Sequence, residues 1–394
     1  MAHDTIPSLP TERPAGRPFD PPAGLAELAP LSRLRYPDGH IGWLATSHAL
    51  VRAVLADPRF SVRPEIKHLP IPGVPGSDRP APPGIFTAMD APEHTRYRRL
   101  LTGQFTVRRM RQLAEHIQAI TTEHLDAMAR HGSPADLVAE LAQPIPAQVI
   151  CELLGVPYAD RARFQADALK LFRLGTAQEE MIAAYTAVQG FIAELVPAKR
   201  AKPDDDLLSG LMATDLTDEE LVNIGFVLLG AGLDTTANML ALGTYALLTH
   251  PDQLALLRSD PGMADHAVEE LLRYLSVIPM TVRTALEDVE LDGQTIKAGE
   301  SITVSVPAAN RDPAHFADPD TLDLLRATGG HVAFGHGVHQ CLGQQLARVE
   351  LQVALPALVT RFPTLRLAVP PQDIAMRTDM IIYGVHALPV AWEV

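Results

Sequence analysis

One cysteine stands in a setting suited to a charged sulfur. Cys341 falls near the end of the run Phe334-Gly335-His336-Gly337-Val338-His339-Gln340-Cys341-Leu342-Gly343, and an amphipathic pattern of Leu346, Val349, Glu350 and Val353 follows it. The glycines permit tight turns and close approach of the backbone to something flat or bulky. A thiolate at a helix N-terminus is stabilised by the helix dipole and by amide donors. Three readings fit these residues: a buried free cysteine in a glycine-rich turn, a zinc site, or a thiolate ligand to a haem iron. The zinc reading draws on His331, His336, His339 and Cys341, but no Cys-x-x-Cys pair supports it. The second cysteine, Cys151, lies in the apolar run Val149-Ile150-Cys151-Glu152-Leu153-Leu154 and reads as an inert core residue.

Other polar residues stand out against their surroundings. Asp234 interrupts the most apolar stretch of the chain, in Ala231-Gly232-Leu233-Asp234-Thr235-Thr236. A carboxylate there is costly to bury unless it is paired or functional. Glu270 and Arg273 share one helix face by their spacing of three, which alone describes an exposed pair of little worth. His94, Arg98 and Arg283 each read singly as solvated basic side chains. Arg96, Arg98, Arg99, Arg108, Arg109 and Arg111 form a basic stretch without an acid between 96 and 111. That stretch is either a solvated face or a docking site for an acidic partner, whose steering weakens as salt rises. No Gly-x-Ser-x-Gly occurs, and no Gly-x-Gly-x-x-Gly opens a helix after a strand, so any electrons must come from other proteins.

These residues must be positioned by a chain that is mostly helical. The apolar stretch begins with a capping box, Thr217 and Glu220, and stops at His250-Pro251. Some 32 helical residues make a rod of about 48 Å, long enough to cross the molecule through its core. Asp234 and the lack of a basic flank argue against a membrane span. Helical patterns run almost without break over 92–275, with a short one at 47–55. Between 61 and 83 lie seven prolines, a segment read as a lid over the site. Strands are predicted over 289–291 and 295–296, around an Asp292-Gly293 turn, and over 301–306, 364–369 and 384–392. The result is a mainly α fold with a small, mostly C-terminal β region. Residues 1–22 form an extended lead-in and 23–394 a single domain. Among 394 residues 47% are apolar and 20% charged, and the formal charge of −14 excludes a general nucleic-acid or anionic-membrane binder. Residues 1–22 lack the apolar core of a secretory signal, so a cytoplasmic protein with no membrane partner is expected.

The ligand loop resembles that of the cytochrome P-450 superfamily, Phe-Gly-x-Gly-x-His-x-Cys-x-Gly, with every fixed position present. The resemblance extends from His94 to the tail Tyr383-Gly384-Val385-His386-Ala387-Leu388-Pro389-Val390 and is similar in spelling to the soluble actinobacterial branch. It implies a triangular helical prism around a buried haem b (iron protoporphyrin IX), with Cys341 as the axial ligand. His94, Arg98, Arg283 and His339 would then face the haem propionates, and Glu270, Arg273 and Arg326 would form a structural signature beneath the haem. Asp234 and Thr235 would relay protons for dioxygen activation, beside a local widening of the helix, with Gly230 and Gly232 admitting the flat ligand. The resemblance also implies substrate walls at Ile85, Phe86, Leu228, Ala231, Met280, Thr281, Val282, Ile381 and Ile382, an apolar lining that predicts a lipophilic substrate. Electrons would come from a ferredoxin and an NAD(P)H-dependent ferredoxin reductase, docking at Arg96, Arg99, Arg108, Arg109 and Arg111. The implied reaction inserts one oxygen atom into a C–H bond or alkene. Its rivals are oxidative coupling on the same fold, and a non-catalytic haem or zinc binder.

Overall fold

The computed structural model describes residues 6–74, 76–104, 107–327 and 329–393. Among them the helices are α1 (His48–Ala56), α2 (Glu93–Thr102), α3 (Val107–His131), α4 (Pro144–Leu154), α5 (Ala162–Lys170), α6 (Gln178–Ala201), α7 (Leu207–Leu211), α8 (Asp218–Thr249), α9 (Pro251–Ser259), α10 (Ala264–Leu275), α11 (Val306–Asn310) and α12 (Gln344–Arg361). The strands are β1 (Leu31–Arg35), β2 (Ile41–Ala45), β3 (Phe60–Ser61), β4 (Ala135–Asp136), β5 (Met280–Ala285), β6 (Val289–Leu291), β7 (Gln294–Ile296), β8 (Ser301–Ser305), β9 (Arg366–Leu367) and β10 (Pro389–Ala391).

The long helix α8 has the 32 residues its pattern predicts, and its capping box is formed. Thr217 Oγ1 accepts from the Glu220 amide at 3.2 Å, and the Glu220 carboxylate accepts from the Thr217 amide at 2.7 Å. The other oxygen of Glu220 accepts from Tyr97 at 2.6 Å and from Arg96 at 2.7 Å, so the same carboxylate also clamps α2 to the start of α8. Burial alone would raise the pKa of Glu220, but these hydrogen bonds outweigh it and bring the group down to about 2. Farther along, α8 is apolar on every side, as an enclosed helix can be, and α4, α6, α10 and α12 pack around it.

The β structure departs from its C-terminal reading. A five-stranded sheet runs β1-β2-β8-β5-β3, with β2 parallel to β8, so the N-terminal hairpin joins strands some 250 residues later. Four of the five residues of β2 are buried, and a strand buried on both faces loses the alternation by which strands are read from sequence. β6 and β7 form the expected hairpin, and β9, β10 and β4 make a second small sheet. Residues 6–22 lie against this framework: Arg35 donates its amide to Pro7, Tyr383 its hydroxyl to Pro18, and the Arg13 guanidinium stacks 3.7 Å from the Tyr383 ring centroid.

Glu270 and Arg273, which spacing alone would leave on the surface, are fully enclosed. Arg273 donates Nε to Glu270 Oε2 at 2.7 Å and Nη2 to Oε1 at 2.8 Å. It also donates to the carbonyls of Asn310, Pro319 and Thr321. Arg326 joins at 3.2 Å from Glu270, and the Asp323 amide donates to the same carboxylate at 2.9 Å. Removing one partner of a buried pair typically costs about 3–5 kcal/mol, because the other charge is left uncompensated. Arg273→Met should therefore lower unfolding free energy by about that amount in denaturant titration. Arg326→Met should lower it less, since Arg273 still holds the carboxylate. Equal losses would show that the enclosed pair is not the dominant member.

Candidate functional site

The ligand loop is held from both ends. The Cys341 amide donates to the Phe334 carbonyl at 2.9 Å, closing the loop around a single turn at Gly337–His339. Gly337 adopts φ +74°, and a Cβ there would run into the Leu55 carbonyl at the end of α1, so only glycine fits. Phe334 is covered by the Arg348 guanidinium, 4.6 Å from its ring centroid, and Glu269 holds that arginine. The Cys341 sulfur is open to a cavity of about 350 Å³ yet surrounded by protein. Burial pushes its thiol pKa up, while the Gly343 amide and the positive charges of Arg98 and Arg348 act in the opposite direction.

The zinc reading fails on geometry. His331 is turned to Glu269 at 3.0 Å, and among the described residues no group of three His, Cys, Asp or Glu converges to hold an ion. What converges on the cavity with Cys341 is a basic set, His94, Arg98, Arg283 and His339, with His336 of the ligand loop also on its wall. The His94 and His339 rings lie 4.0 Å apart, and the buried Nε2 of His94 has no partner. Among the described residues Arg283 donates only to Thr281 Oγ1 and the Val282 carbonyl, and Asp90, the acid whose charge acts on it, is engaged by Ser61 and the Val62 amide. Burial pushes Arg283 down to about 10 and, with His94 and Arg283 nearby, His339 down to about 3. A buried basic set without a counter-anion is a cradle for carboxylates. With a sulfur donor in the same cavity, these residues fit a haem and its two propionates.

On the α8 wall the acid and the alcohol point to different places. Thr235 borders the cavity and donates its hydroxyl to the Ala231 carbonyl at 2.8 Å. Asp234, 3% exposed, turns away and receives Arg377 Nη1 at 2.7 Å and Nη2 at 2.9 Å, with Asn238 at 3.0 Å. Arg377 escaped the sequence reading; the one signal for it was an apolar-flanked aspartate that required a cation. The expected widening of α8 is absent: the helix runs unbroken from Asp218 to Thr249. Gly232 borders the cavity, but its missing Cβ makes room for Ile150 of α4, and Gly230 faces Phe172, so neither is primarily a ligand opening.

The remaining site residues divide. Phe86, Leu228, Ala231 and Thr281 border the haem cavity. Met280 and Ile381 line a separate space of about 720 Å³ between the N-terminal segment and the loop 371–383. β5 explains the split, since successive side chains of a strand face opposite ways. Thr281 and Arg283 look into the haem cavity, while Met280 looks the other way and Val282 is core. Ile382 is also core, and Ile85 borders neither space. The basic stretch is less free than its sequence implies. Arg96 binds Glu220 and Asp215, while Arg108 and Arg109 share Asp205. Arg99 is exposed, and the side chain of Arg111 lies outside the described residues.

The Asp234–Arg377 pair is open to a double-mutant cycle. Arg377→Met and Asp234→Asn should each destabilise the fold by about 3–5 kcal/mol. The double variant should lose less than the sum, whereas additive losses in denaturant titration would deny the coupling. Comparison with known proteins agrees with the cavity chemistry. A family model described as Cytochrome P450 matches residues 262–383. Cytochrome P450 105C1 of a Streptomyces species is 52% identical over 380 residues, covering 95% of this chain and 96% of the relative. The vitamin D3 dihydroxylase of Streptomyces griseolus is 40% identical over 396 residues, covering 98% and 97%. The crystal structure of CYP105P1 in complex with filipin I matches with a TM-score of 0.94 at 44% identity, covering 99% of each chain. With a thiol and a cationic cradle where a haem requires them, and identity sustained along nearly its whole length, the chain belongs to the cytochrome P450 family of haem-thiolate monooxygenases.

Proposed function

We propose that the protein hydroxylates or epoxidises a lipophilic small molecule, a macrolide or other secondary metabolite, with electrons from a ferredoxin and its NAD(P)H-dependent reductase in the cytoplasm. The observation that carries this reading is the cavity itself, where Cys341, the basic set and the Thr235 hydroxyl meet apolar walls. Haem bound there supplies dioxygen activation, and a thiolate ligand favours O–O cleavage. His94, Arg98, Arg283 and His339 would hold the propionates. Thr235 holds a proton at Oγ1 on the cavity side, and Asp234, its chain neighbour, would serve as the acid of the relay only on leaving the Arg377 guanidinium that holds it away from the cavity. Phe86, Leu228 and Ala231 exclude water and favour an apolar substrate.

The larger space lined by Met280 and Ile381 supports a substrate of considerable bulk, approaching beside the N-terminal segment. Relatives named for filipin I and vitamin D3 support lipophilicity as the shared property. The ferredoxin reading rests on the absence of a dinucleotide-binding motif in the sequence, with the exposed Arg99 and the exposed, Asp205-paired Arg108 as docking charges beside the more buried Arg96.

Screening lipophilic compounds for substrate-induced spin-state shifts identifies the ligand class; shifts confined to small polar compounds would overturn the lipophilic reading. With a ligand in hand, Thr235→Ala should uncouple electron consumption from product, raising peroxide release relative to wild type. Unchanged coupling would remove Thr235 from the relay. Arg99→Glu with Arg108→Glu should slow ferredoxin-driven turnover at low salt and matter less at high salt. Equal rates at both would place the docking surface elsewhere.

A further inference from the structure

Arg348 and Glu269 form a charge pair against the ligand loop to which the mechanism above gives no task. Arg348 lies just over one turn into α12, and Glu269 comes from α10. Nε and Nη2 of Arg348 hold the two carboxylate oxygens of Glu269, the second at 3.1 Å. A forked, charge-assisted contact of this kind fixes the plane of the guanidinium. Nη1 donates to Gln344 Oε1 at 3.0 Å, and the same oxygen accepts from Gln340, the neighbour of Cys341, at 3.4 Å. The guanidinium carbon stands 4.6 Å from the Phe334 ring centroid, and the Phe334 carbonyl accepts the Cys341 amide. One cation therefore grips the loop on both sides of its cysteine.

The charges of this cluster can be counted from its hydrogen bonds. His331 is the third member: its Nδ1 accepts from the Ala333 amide at 3.2 Å, which leaves Nε2 to carry the proton donated to Glu269 at 3.0 Å. That is the neutral tautomer. Burial would raise the pKa of Glu269, but His331 and Arg348 bring it down to about 2, so it is ionised at neutral pH. The cluster thus holds one negative and one positive charge. Arg348 is the member that touches Phe334 and Gln344, so the positive end of the pair meets the loop. Its charge acts on the Cys341 sulfur, as does that of Arg98. Arg98 borders the cavity and belongs to the basic set, whereas Arg348 lies outside the cavity wall, its one ion pair among the described residues being with Glu269.

We propose that the Arg348–Glu269 pair sets the reduction potential of the bound haem, its positive end offsetting the charge of the Cys341 thiolate. A cation held in a partly enclosed place favours the oxidation state that carries the extra electron. Groups just beyond the ligands of a metal tune it in this way. Reduction adds one electron, supplied by the separate electron carrier of the reaction, and no bond forms or breaks at Arg348. Arg348 acts through the ligand loop as a positioning residue and does not border the substrate cavity, while Glu269 fixes its place and limits its charge. The proposal rests on the reading of Cys341 as the iron ligand.

Spectroelectrochemical titration of the haem-loaded protein reads the potential without turnover. Arg348→Met leaves Glu269 uncompensated and should lower the midpoint potential, whereas Glu269→Gln leaves Arg348 uncompensated and should raise it. Arg348→Lys keeps the charge without the fork and should stay closer to wild type than Arg348→Met. Opposite signs separate charge from packing, since loss of either partner loosens the same loop. Shifts of one sign in both variants, or wild-type potentials in both, overturn the proposal. So does an Arg348→Lys potential shifted as far as that of Arg348→Met. Slowed ferredoxin-driven reduction at wild-type potentials also overturns it and assigns the pair to docking. Should Arg348→Met fail to retain haem, Glu269→Gln decides alone: a rise supports the proposal and any other result overturns it. The carbon monoxide spectrum of the wild type keeps the ligand reading apart, because a missing thiolate-shifted band removes Cys341 from the iron whatever the potentials of the variants.

Discussion

The enclosed ion pair of Glu270 and Arg273 is the interaction on which the site depends. Between α11 and the ligand loop the chain has almost no regular structure, so its backbone carbonyls lack partners from a helix or sheet. The two guanidiniums supply them: Arg273 reaches Asn310, Pro319 and Thr321, and Arg326 reaches Ala317, Asp318 and Thr321. A rigid helix, α10, thereby holds an irregular segment in one shape, and Cys341 is delivered by the loop that follows. Buried charge is used here for position, a use that fits its weak net contribution to stability.

The same logic separates the polar groups of the interior into two kinds. Glu220, Asp234 and Glu270 are paired across elements and tie α2, the C-terminal loop and the irregular segment to the helical core. The groups around the haem cavity are left unpaired among the described residues: His94 has an orphaned nitrogen, Arg98 and Arg283 make no ion pair with an acid, and the thiol of Cys341 faces open space. Unsatisfied groups gathered in one place are what a charged cofactor with a metal at its centre completes.

Much of this was legible in the sequence, and the reasons differ from residue to residue. Cys341 and its glycines carry their geometry locally, since a positive φ at Gly337 and a turn into α12 need few neighbours to be inferred. The α8 boundaries were equally plain, because a capping box and a proline mark them. Long-range partners were not. Arg377 lies 143 residues from Asp234, and with Thr378 and Asp379 beside it the local sequence reads as a polar surface turn. The N-terminal hairpin was missed because β2 is enclosed on both faces. The wall residues Met280, Val282 and Ile382 were assigned by segment, whereas the face each presents depends on the register of β5 and of the final loop. The basic stretch was overread for a related reason: Asp205, Asp215 and Glu220 come from far along the chain to neutralise it.

The central claim is that Cys341 provides a thiolate to a haem held by this cavity. It is tested most directly by reducing the purified protein, adding carbon monoxide and recording the absorption spectrum. The account predicts the thiolate-shifted Soret band in the wild type and its loss in Cys341→Ser, with haem still held by the basic set. A colourless protein, or a shifted band that survives the substitution, would contradict it.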